Sequence, residues 1–370
     1  MTISVPRSKT RPVLSRRNLL WFGAAGILAG VLPSFPGAAI AAEEGKPAES
    51  GPKAASGRLI FHGALLAKPD GAAQEERIRG VFAVDLETGR WERIVDGGHF
   101  RVSRDGKFLA FQKEPNDRRT IYQLSEIWIH DLTTRRSARA LDDGRNLFPP
   151  LEGEEATKHR LIDGHPICWS PDSTLFIAST LRTSKNPKEP QQCIARMVKR
   201  DGSGLTKLPI PEHDEINDWS PDGRWFVTVS DRHAATERGY QLYLMHTDGT
   251  EQLRLTKGGQ NVCPRFSPDS RKIAYRARGG VRVMNVDGTD DHMVLRDEKL
   301  ATFEDPCWSP DGHHLAVIRY DDEIENGKRV IKLDDTPRHG IEIMDADGTN
   351  RQQVRFSEAK IRWISLLDWL

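Results

Sequence analysis

The sequence predicts an all-β fold: a six-bladed β-propeller of four-stranded antiparallel blades, its ring closed by the C-terminal strand joining the N-terminal blade. Three observations predict it. A motif of the form aromatic-Ser-Pro-Asp-Gly recurs: Pro306 to Gly312 reads Pro-Cys-Trp-Ser-Pro-Asp-Gly, and relatives centre on Ser103, Ser170, Ser220 and Ser267. The repeated serines, the last being Ser309, stand 67, 50, 47 and 42 residues apart, close to the roughly 40–50 residue period of propeller blades. The last residues, Leu367, Asp368, Trp369 and Leu370, match Asn217, Asp218, Trp219 and Ser220 and then stop.

Within a repeat, the aromatic before the serine ends a short apolar first strand. Pro-Asp-Gly follows: proline presets its backbone angle, aspartate bonds the backbone ahead, and glycine accepts the positive φ of the turn. A second strand comes next, as in Trp225 to Val229 or His314 to Ile318, and a third later, as in Gln241 to Met245 or Ile341 to Met344. The third leads into an Asp-Gly-Thr turn (Asp248 to Thr250, Asp287 to Thr289, Asp347 to Thr349) and a short fourth strand. Four antiparallel strands make one blade. The third-strand unit occurs six times, the first from Val81 to Gly89, but the serine motif occurs five times. The first blade therefore lacks a first strand, and the C-terminal segment supplies it, leaving the ring without an open edge.

These turns resemble those of the TolB-type, WD-like β-propeller repeat family, over roughly residues 58 to 370. The resemblance implies the propeller fold. TolB proteins themselves carry a small domain before the propeller, for which residues 42–57 leave no room, so only the propeller carries over.

Residues 1–41 read as an export signal: Arg7, Lys9, Arg11, Arg16 and Arg17 precede an apolar run from Leu19 to Leu32, and the first acidic residue is Glu43. Arg16 and Arg17, followed by Asn18, Leu19 and Leu20, resemble the twin-arginine signal read by the twin-arginine translocase. Ala39 and Ala41 frame an A-x-A cleavage site. A retained N-terminal anchor is the alternative, although the run is short for a membrane span. Residues 42–57, rich in Ala, Gly, Pro, Glu and Lys, read as a flexible linker. The mature protein is then expected to be periplasmic or secreted, without a stable membrane span, and monomeric.

Charge is balanced, with 54 Lys and Arg against 53 Asp and Glu, and removal of the signal leaves a slight acidic excess. A nucleic-acid partner is not expected. Four cysteines in an exported chain invite disulfides, but Cys168 and Cys307 occupy the same repeat position in opposite blades, too far apart to bridge. Cys193 and Cys263 have no evident partner, so free thiols are expected. The repeat position two before the serine reads Asp368, Arg101, Cys168, Asp218, Arg265, Cys307 around the ring. Ion pairs between the neighbours Asp368 and Arg101, and Asp218 and Arg265, are expected near the channel, with solvated side chains as the alternative.

Tight turns fall on one face of the disc, and nearly all length variation falls on the other, in loops at 68–80, 113–125, 182–192, 231–239 and 320–340 and in the connection 142–164. Insertions on one face of a repeat protein often mark the binding face. Residues leading into the first strands from that face should ring the channel mouth: His99, His165, His213, Asp214, Glu215, Asn261, Glu304 and Asp305. They are the candidates for binding a protein or envelope component. No metal-ligand spacing is present, and no metal or other cofactor is expected. There is no G-x-S-x-G elbow, phosphate-binding loop or dinucleotide fingerprint, which points to a non-catalytic protein. The rival is a carbohydrate-active enzyme: some similar propellers are polysaccharide lyases of the oligogalacturonide type, and this resemblance would give His99, His165 and His213 a metal to hold.

Overall fold

The computed structural model describes residues 55–68, 74–113, 126–141, 159–184, 192–211, 214–233, 239–298, 301–321, 323–325, 328–330 and 339–370; at 159–165, 180–184, 192–194, 323–325 and 328–330 it describes the backbone alone. Six four-stranded antiparallel sheets form the blades of a ring. The first blade has the order β26-β1-β2-β3, with β1 Arg58–Ala67, β2 Glu76–Asp85, β3 Trp91–Val95 and β26 Ala359–Trp369. The second contains β4 Phe100–Val102, β5 Phe108–Lys113, β6 Glu126–Asp131 and β7 Arg136–Leu141. The third contains β8 His159–Trp169, β9 Leu175–Ser184, β10 Gln192–Lys199 and β11 Thr206–Lys207. The fourth contains β12 Asp214–Trp219, β13 Trp225–Ser230, β14 Gln241–His246 and β15 Gln252–Arg254. The fifth contains β16 Val262–Phe266, β17 Lys272–Ala277, β18 Gly280–Asn285 and β19 His292–Arg296. The sixth contains β20 Ala301–Trp308, β21 His314–Asp321, β24 His339–Asp345 and β25 Gln352–Gln353, and a small hairpin, β22 Glu323–Glu325 with β23 Lys328–Val330, rises between its second and third strands.

The expected closure is present. β26 lies antiparallel to β1, with Trp369 opposite Leu59 and Ala359 opposite Ala67. Arg58 and Leu370 exchange two backbone hydrogen bonds, and the Trp369 indole donates to the Ser56 carbonyl at 3.0 Å. The strands of the first and third blades run further toward the loop face than the sequence suggests. β2 starts at Glu76 and β8 at His159, inside stretches expected to be loop. In the first blade, Leu65 and Ile361 are buried and Ile78 packs beside them, so the extension continues the apolar interface with the sixth blade.

The core is divided among the interfaces between blades, because each sheet is apolar on both faces. Six buried clusters sit at the six interfaces. One joins Ile60 and Val81 to Phe100 and Leu109 across the first and second blades, and another joins Phe61 and Phe82 to Ile318 and Ile343 across the sixth and first.

The recurring serine is a clasp for its turn. Ser170 Oγ donates to Asp172 Oδ1 at 2.5 Å and accepts from the N–H of Leu175 at 3.0 Å, while the Ser170 carbonyl receives the N–H of Ser173. The same serine–aspartate bond recurs at Ser103, Ser220, Ser267 and Ser309 at 2.5–2.6 Å. Asp172 is consequently held below the usual carboxylate range, first by the Ser170 hydroxyl and then by the Thr174 N–H and hydroxyl. The outer turns also satisfy themselves, with the Thr250 hydroxyl and N–H bringing Asp248 down to about 2.

Two turns end in serine where the others have glycine. Ser173 (φ 59°) and Ser270 (φ 61°) adopt the left-handed conformation that glycine tolerates better. Their hydroxyls accept from the N–H of Asp105 at 3.1 Å and of Asp222 at 3.0 Å, each on the preceding blade. The strain is offset by a bond between blades. Ser173→Ala keeps the strain and loses the bond, so it is expected to be about 1 kcal/mol less stable than Ser173→Gly; equal urea midpoints for the two variants would refute this account.

Candidate functional site: the central channel and its mouth

First strands of the blades line the channel, running from the loop face toward the clasped turns. At the turn end, the side chains two before each serine fill the axis. Asp368, Arg101, Cys168, Asp218, Arg265 and Cys307 repeat as Asp-Arg-Cys twice around the ring, giving this layer an approximate two-fold symmetry. The bonds follow that symmetry. Asp368 Oδ2 accepts from the N–H of Val102 at 2.9 Å, and Asp218 Oδ2 accepts from the N–H of Phe266 at 3.0 Å, each carboxylate reaching the next blade's backbone. The indoles of Trp169 and Trp308 donate to the carbonyls of Arg101 and Arg265 at 2.9 and 3.1 Å.

The expected neighbour ion pairs are therefore corrected. Asp368 stands 3.8 Å from the Arg265 guanidinium, with the sixth blade intervening, and the partner of Asp218 is Arg104 at 2.7 Å. Arg101 instead donates to the carbonyls of Ile167 at 2.7 Å and Phe100 at 3.0 Å. The physical reason is that a carboxylate beside the next blade meets an N–H needing an acceptor before it meets a guanidinium. Arg104 was missed at the sequence level, although a signal existed. It occupies the position of Pro171, Pro221, Pro268 and Pro310 in the other motifs, so in this degenerate copy a long cation replaces a ring and reaches the axis.

Burial and the neighbouring Arg265 charge press the Arg101 pKa down, against the carboxylates of Asp368, Asp305 and Asp218. Burial lowers that of Arg265 too, but Asp368 and Asp218, with smaller contributions from Cys307 and Asp305, together turn the net shift upward. Cys168 and Cys307 are free and buried, and burial holds both thiols well above their usual range, so they are protonated, unreactive packing groups. Cys263 is free as well. Side chains from the first, second, fourth and fifth blades thus meet across the axis at the turn end of the channel.

The residues expected at the mouth separate into groups. Glu215, Glu304 and Asp305 are partly exposed on β12 and β20. Asp305 has φ 49° and sits four before its serine, as does Cys263 (φ 54°), and Leu366 (φ 70°) sits four before Leu370, which takes the serine's place in the closing strand. These are bulges in three consecutive first strands, and Asp305 Oδ2 receives the N–H of Leu366 at 3.5 Å. Tyr240 is pushed up to about 12 by burial and by the charges of Asp231 and Glu215, so this half of the mouth is acidic.

Asp214 and Asn261 are placed differently from the expectation of exposed contacts. The Asp214 side chain is fully buried, paired with Arg232 through both Nε and Nη2, and near the Thr228 hydroxyl at 3.3 Å. Arg232 lies over the Tyr243 ring at 4.1 Å, and Tyr243 Oη bonds His233 Nδ1. The Asn261 amide donates to the carbonyls of Gly258 at 2.8 Å and Tyr240 at 3.1 Å, and the residue is buried. Both are struts that hold the mouth together, because a loop leaving a strand must satisfy backbone and charge before it can offer side chains outward.

Of the histidines, His99 is partly exposed between the first and second blades, its ring centroid 6.4 Å from that of His62. His165 is on β8, where its backbone pairs with Ser179, and its side chain lies outside the described residues, as does all of His213. Arg16, Arg17, Ala39 and Ala41 also lie outside them. Among the described residues no group of three or more His, Cys, Asp or Glu is arranged to hold a metal ion.

His62, unremarked in the sequence, is strongly altered by the fold. Its Nδ1 bonds Ser365 Oγ at 2.9 Å on the closing strand, its ring packs edge-on against Trp363, and burial lowers its pKa from 6.5 to about 4. Above about pH 6.5 the imidazole is neutral in both folded and unfolded chains, and stability is unaffected. As pH falls from 6.5 to about 4, the unfolded chain takes up a proton that the fold does not, so stability is lost across that window, by about 3 kcal/mol at most. Urea denaturation of the wild type and His62→Gln at both ends of the window should show a smaller loss in the variant; parallel losses would remove His62 as a source.

No protein-family model matches the chain. A stretch of 96 residues, 23% of this chain and 20% of the relative, is 34% identical to the Tol-Pal system protein TolB of Alcanivorax borkumensis. Another of 111 residues, 29% of this chain and 36% of the relative, is 30% identical to an uncharacterised protein of Agrobacterium fabrum. The chain thus spans about a fifth and about a third of these curated relatives. The crystal structure of TolB from Acinetobacter baumannii superposes with a TM-score of 0.53 and 19% identity, over 85% of this chain and 66% of that one. A TolB-like protein from Agrobacterium tumefaciens superposes with a TM-score of 0.50 and 18% identity, over 84% and 92%. At these identities the likeness is one of fold: a TolB-like six-bladed propeller.

Proposed function

We propose that this chain is an exported, non-catalytic propeller that binds a protein or cell-envelope component through its loop face, at the channel mouth. The observation that carries this reading is the set of partly exposed polar side chains that three blades bring to the loop end of the channel. At the turn end, the carboxylates of Asp218 and Asp368 meet the guanidiniums of Arg104 and Arg265 across the axis, and the clasped turns use their own polar groups. At the loop end, Glu215, Glu304, Asp305 and His99, on segments of the fourth, sixth and second blades, are partly exposed beside the struts formed by Asp214 with Arg232 and by Asn261. A rigid scaffold presenting polar side chains from several strands is a binding architecture. The paired arginines Arg16 and Arg17 and the Ala39 to Ala41 site support export to the periplasm or beyond, and the TolB-like fold supports an envelope setting. The absence of a nucleophile elbow from the sequence supports a binding role over hydrolysis.

Cross-linked capture from the cell envelope tests the reading. The bait is the mature protein, beside Glu215→Lys with Glu304→Lys on the mouth and Glu87→Lys with Glu251→Lys in the exposed outer turns. A partner retained by the turn-face variant and lost by the mouth variant is the expected result. Loss only in the turn-face variant would place binding on the other face and overturn the assignment.

A further inference from the structure

We propose that the loop-end half of the closing strand β26 is held to the sixth blade by an acid-sensitive clamp, in which Tyr320 and His339 grip both backbone groups of Ile364 and protonation of His339 releases them. This device belongs to the ring closure and does not depend on the role of the mouth. Ile364 donates its N–H to His339 Nδ1 at 3.0 Å, and its carbonyl accepts from Tyr320 Oη at 3.1 Å. His339 and Tyr320 stand opposite each other on β24 and β21, their rings edge to face with centroids 4.6 Å apart. Two side chains of one blade thus satisfy both polar backbone groups of one residue in the next. They do so where the ladder is interrupted. The pairing of β26 with β1 shifts register twice, skipping Leu366 and Arg362, so Trp363, Ile364 and Ser365 form a short paired run between two bulges. Ile364 is buried, and a buried N–H needs an acceptor.

Proton chemistry makes one of these bonds conditional. A peptide N–H only donates, so His339 Nδ1 accepts and the ring proton sits on Nε2. An imidazolium carries protons on both nitrogens and has no acceptor. Taking up a proton and holding Ile364 therefore exclude each other. His62, which meets the next residue of β26 from the first blade, differs in kind. Its Nδ1 bonds the Ser365 hydroxyl, which can turn and accept from an imidazolium. Among the described residues, the titratable and charged groups on the strands packed against β24 are His314, Arg319, Tyr320 and Asp321 on β21 and Lys360, Arg362 and Asp368 on β26; β25 has none. Arg319 is engaged by Asp321 and Glu342, and Lys360 lies 3.8 Å from Glu75. His314, beside Asp345, packs on Trp369, and Asp368 accepts from Val102, both in the turn-end half of the strand. The clamp therefore acts on the loop-end half.

Once released, the imidazole titrates as an ordinary one, near about pH 6.5. The clamp holds above that pH and loosens below it, so release of the strand becomes about tenfold more favourable between about pH 7.5 and pH 5.5. Amide hydrogen exchange of the mature protein, corrected for the intrinsic pH dependence of exchange, reads this change. His62→Gln serves as the background, because it removes the neighbouring titration and leaves the clamp intact. In it, protection at 359–365 is expected to fall about tenfold across this range, while protection of β13 and β14 in the fourth blade changes by less than about twofold. Adding His339→Asn, whose Oδ1 accepts without titrating, should shrink the fall at 359–365 to less than about twofold. Adding Tyr320→Phe instead should lower protection at both pH values and keep the about tenfold step. A step that survives His339→Asn, or that appears equally in the fourth blade, would overturn the proposal. So would the absence of a step in the His62→Gln protein itself, a result that does not require the His339 variant to fold.

Discussion

A chain ending at Glu358 is expected to lose cooperative folding altogether. It lacks β26, whose Ile361, Ile364, Leu367 and Trp369 are all buried against the first and sixth blades. Burying each such side chain contributes about 1.5–3 kcal/mol, so the four together approach the roughly 5–15 kcal/mol total stability of a typical fold. The truncation also strips Asp368 from the N–H of Val102 and from Arg265, and leaves β1 as an exposed apolar edge. Circular dichroism with urea titration would read the outcome, and a synthetic 359–370 peptide added in trans should restore the transition. A truncated chain that melts within about 2 kcal/mol of the full one would mean that the ring does not depend on this strand.

Asp218→Ala is expected to cost about 3–5 kcal/mol, as when one partner of a buried charged pair is removed. The residue is almost fully buried, and its carboxylate accepts from the backbone N–H groups of Phe266 and Trp219 and from Arg104 Nη2. Alanine leaves the Phe266 N–H without its acceptor and the cation without its partner. Asp368→Ala, at the symmetry-related position, should behave alike, whereas alanine at exposed Asp96 should change stability by less than about 0.5 kcal/mol. If Asp218→Ala and Asp96→Ala unfold at the same urea concentration, the charged layer is not a structural element.

Much of the fold was legible because the propeller writes its geometry locally. A serine that clasps its own turn, an aspartate two residues on and a glycine or serine with positive φ have to be adjacent in sequence, so five copies announce five blades. The sixth, completed by β26, was legible from a fragment of the same motif at Leu367 to Leu370. The candidate site was less legible. His99, Glu215, Glu304 and Asp305 are partly exposed on segments leading into or forming first strands, where repeat alignment puts them. Asp214 and Asn261 share that alignment, yet the first is ion-paired with Arg232, eighteen residues on in the chain, and the second closes its own loop.

The sequence by itself determined the blade number, the closure and the face that carries the long loops, since each follows from turn chemistry and spacing. The tertiary structure alone decided which charges meet in the channel. Those outcomes depend on distances between residues on different blades, as from Arg104 to Asp218 or Arg265 to Asp368. In a ring, such distances are set by closure of all six sheets together rather than by any one repeat.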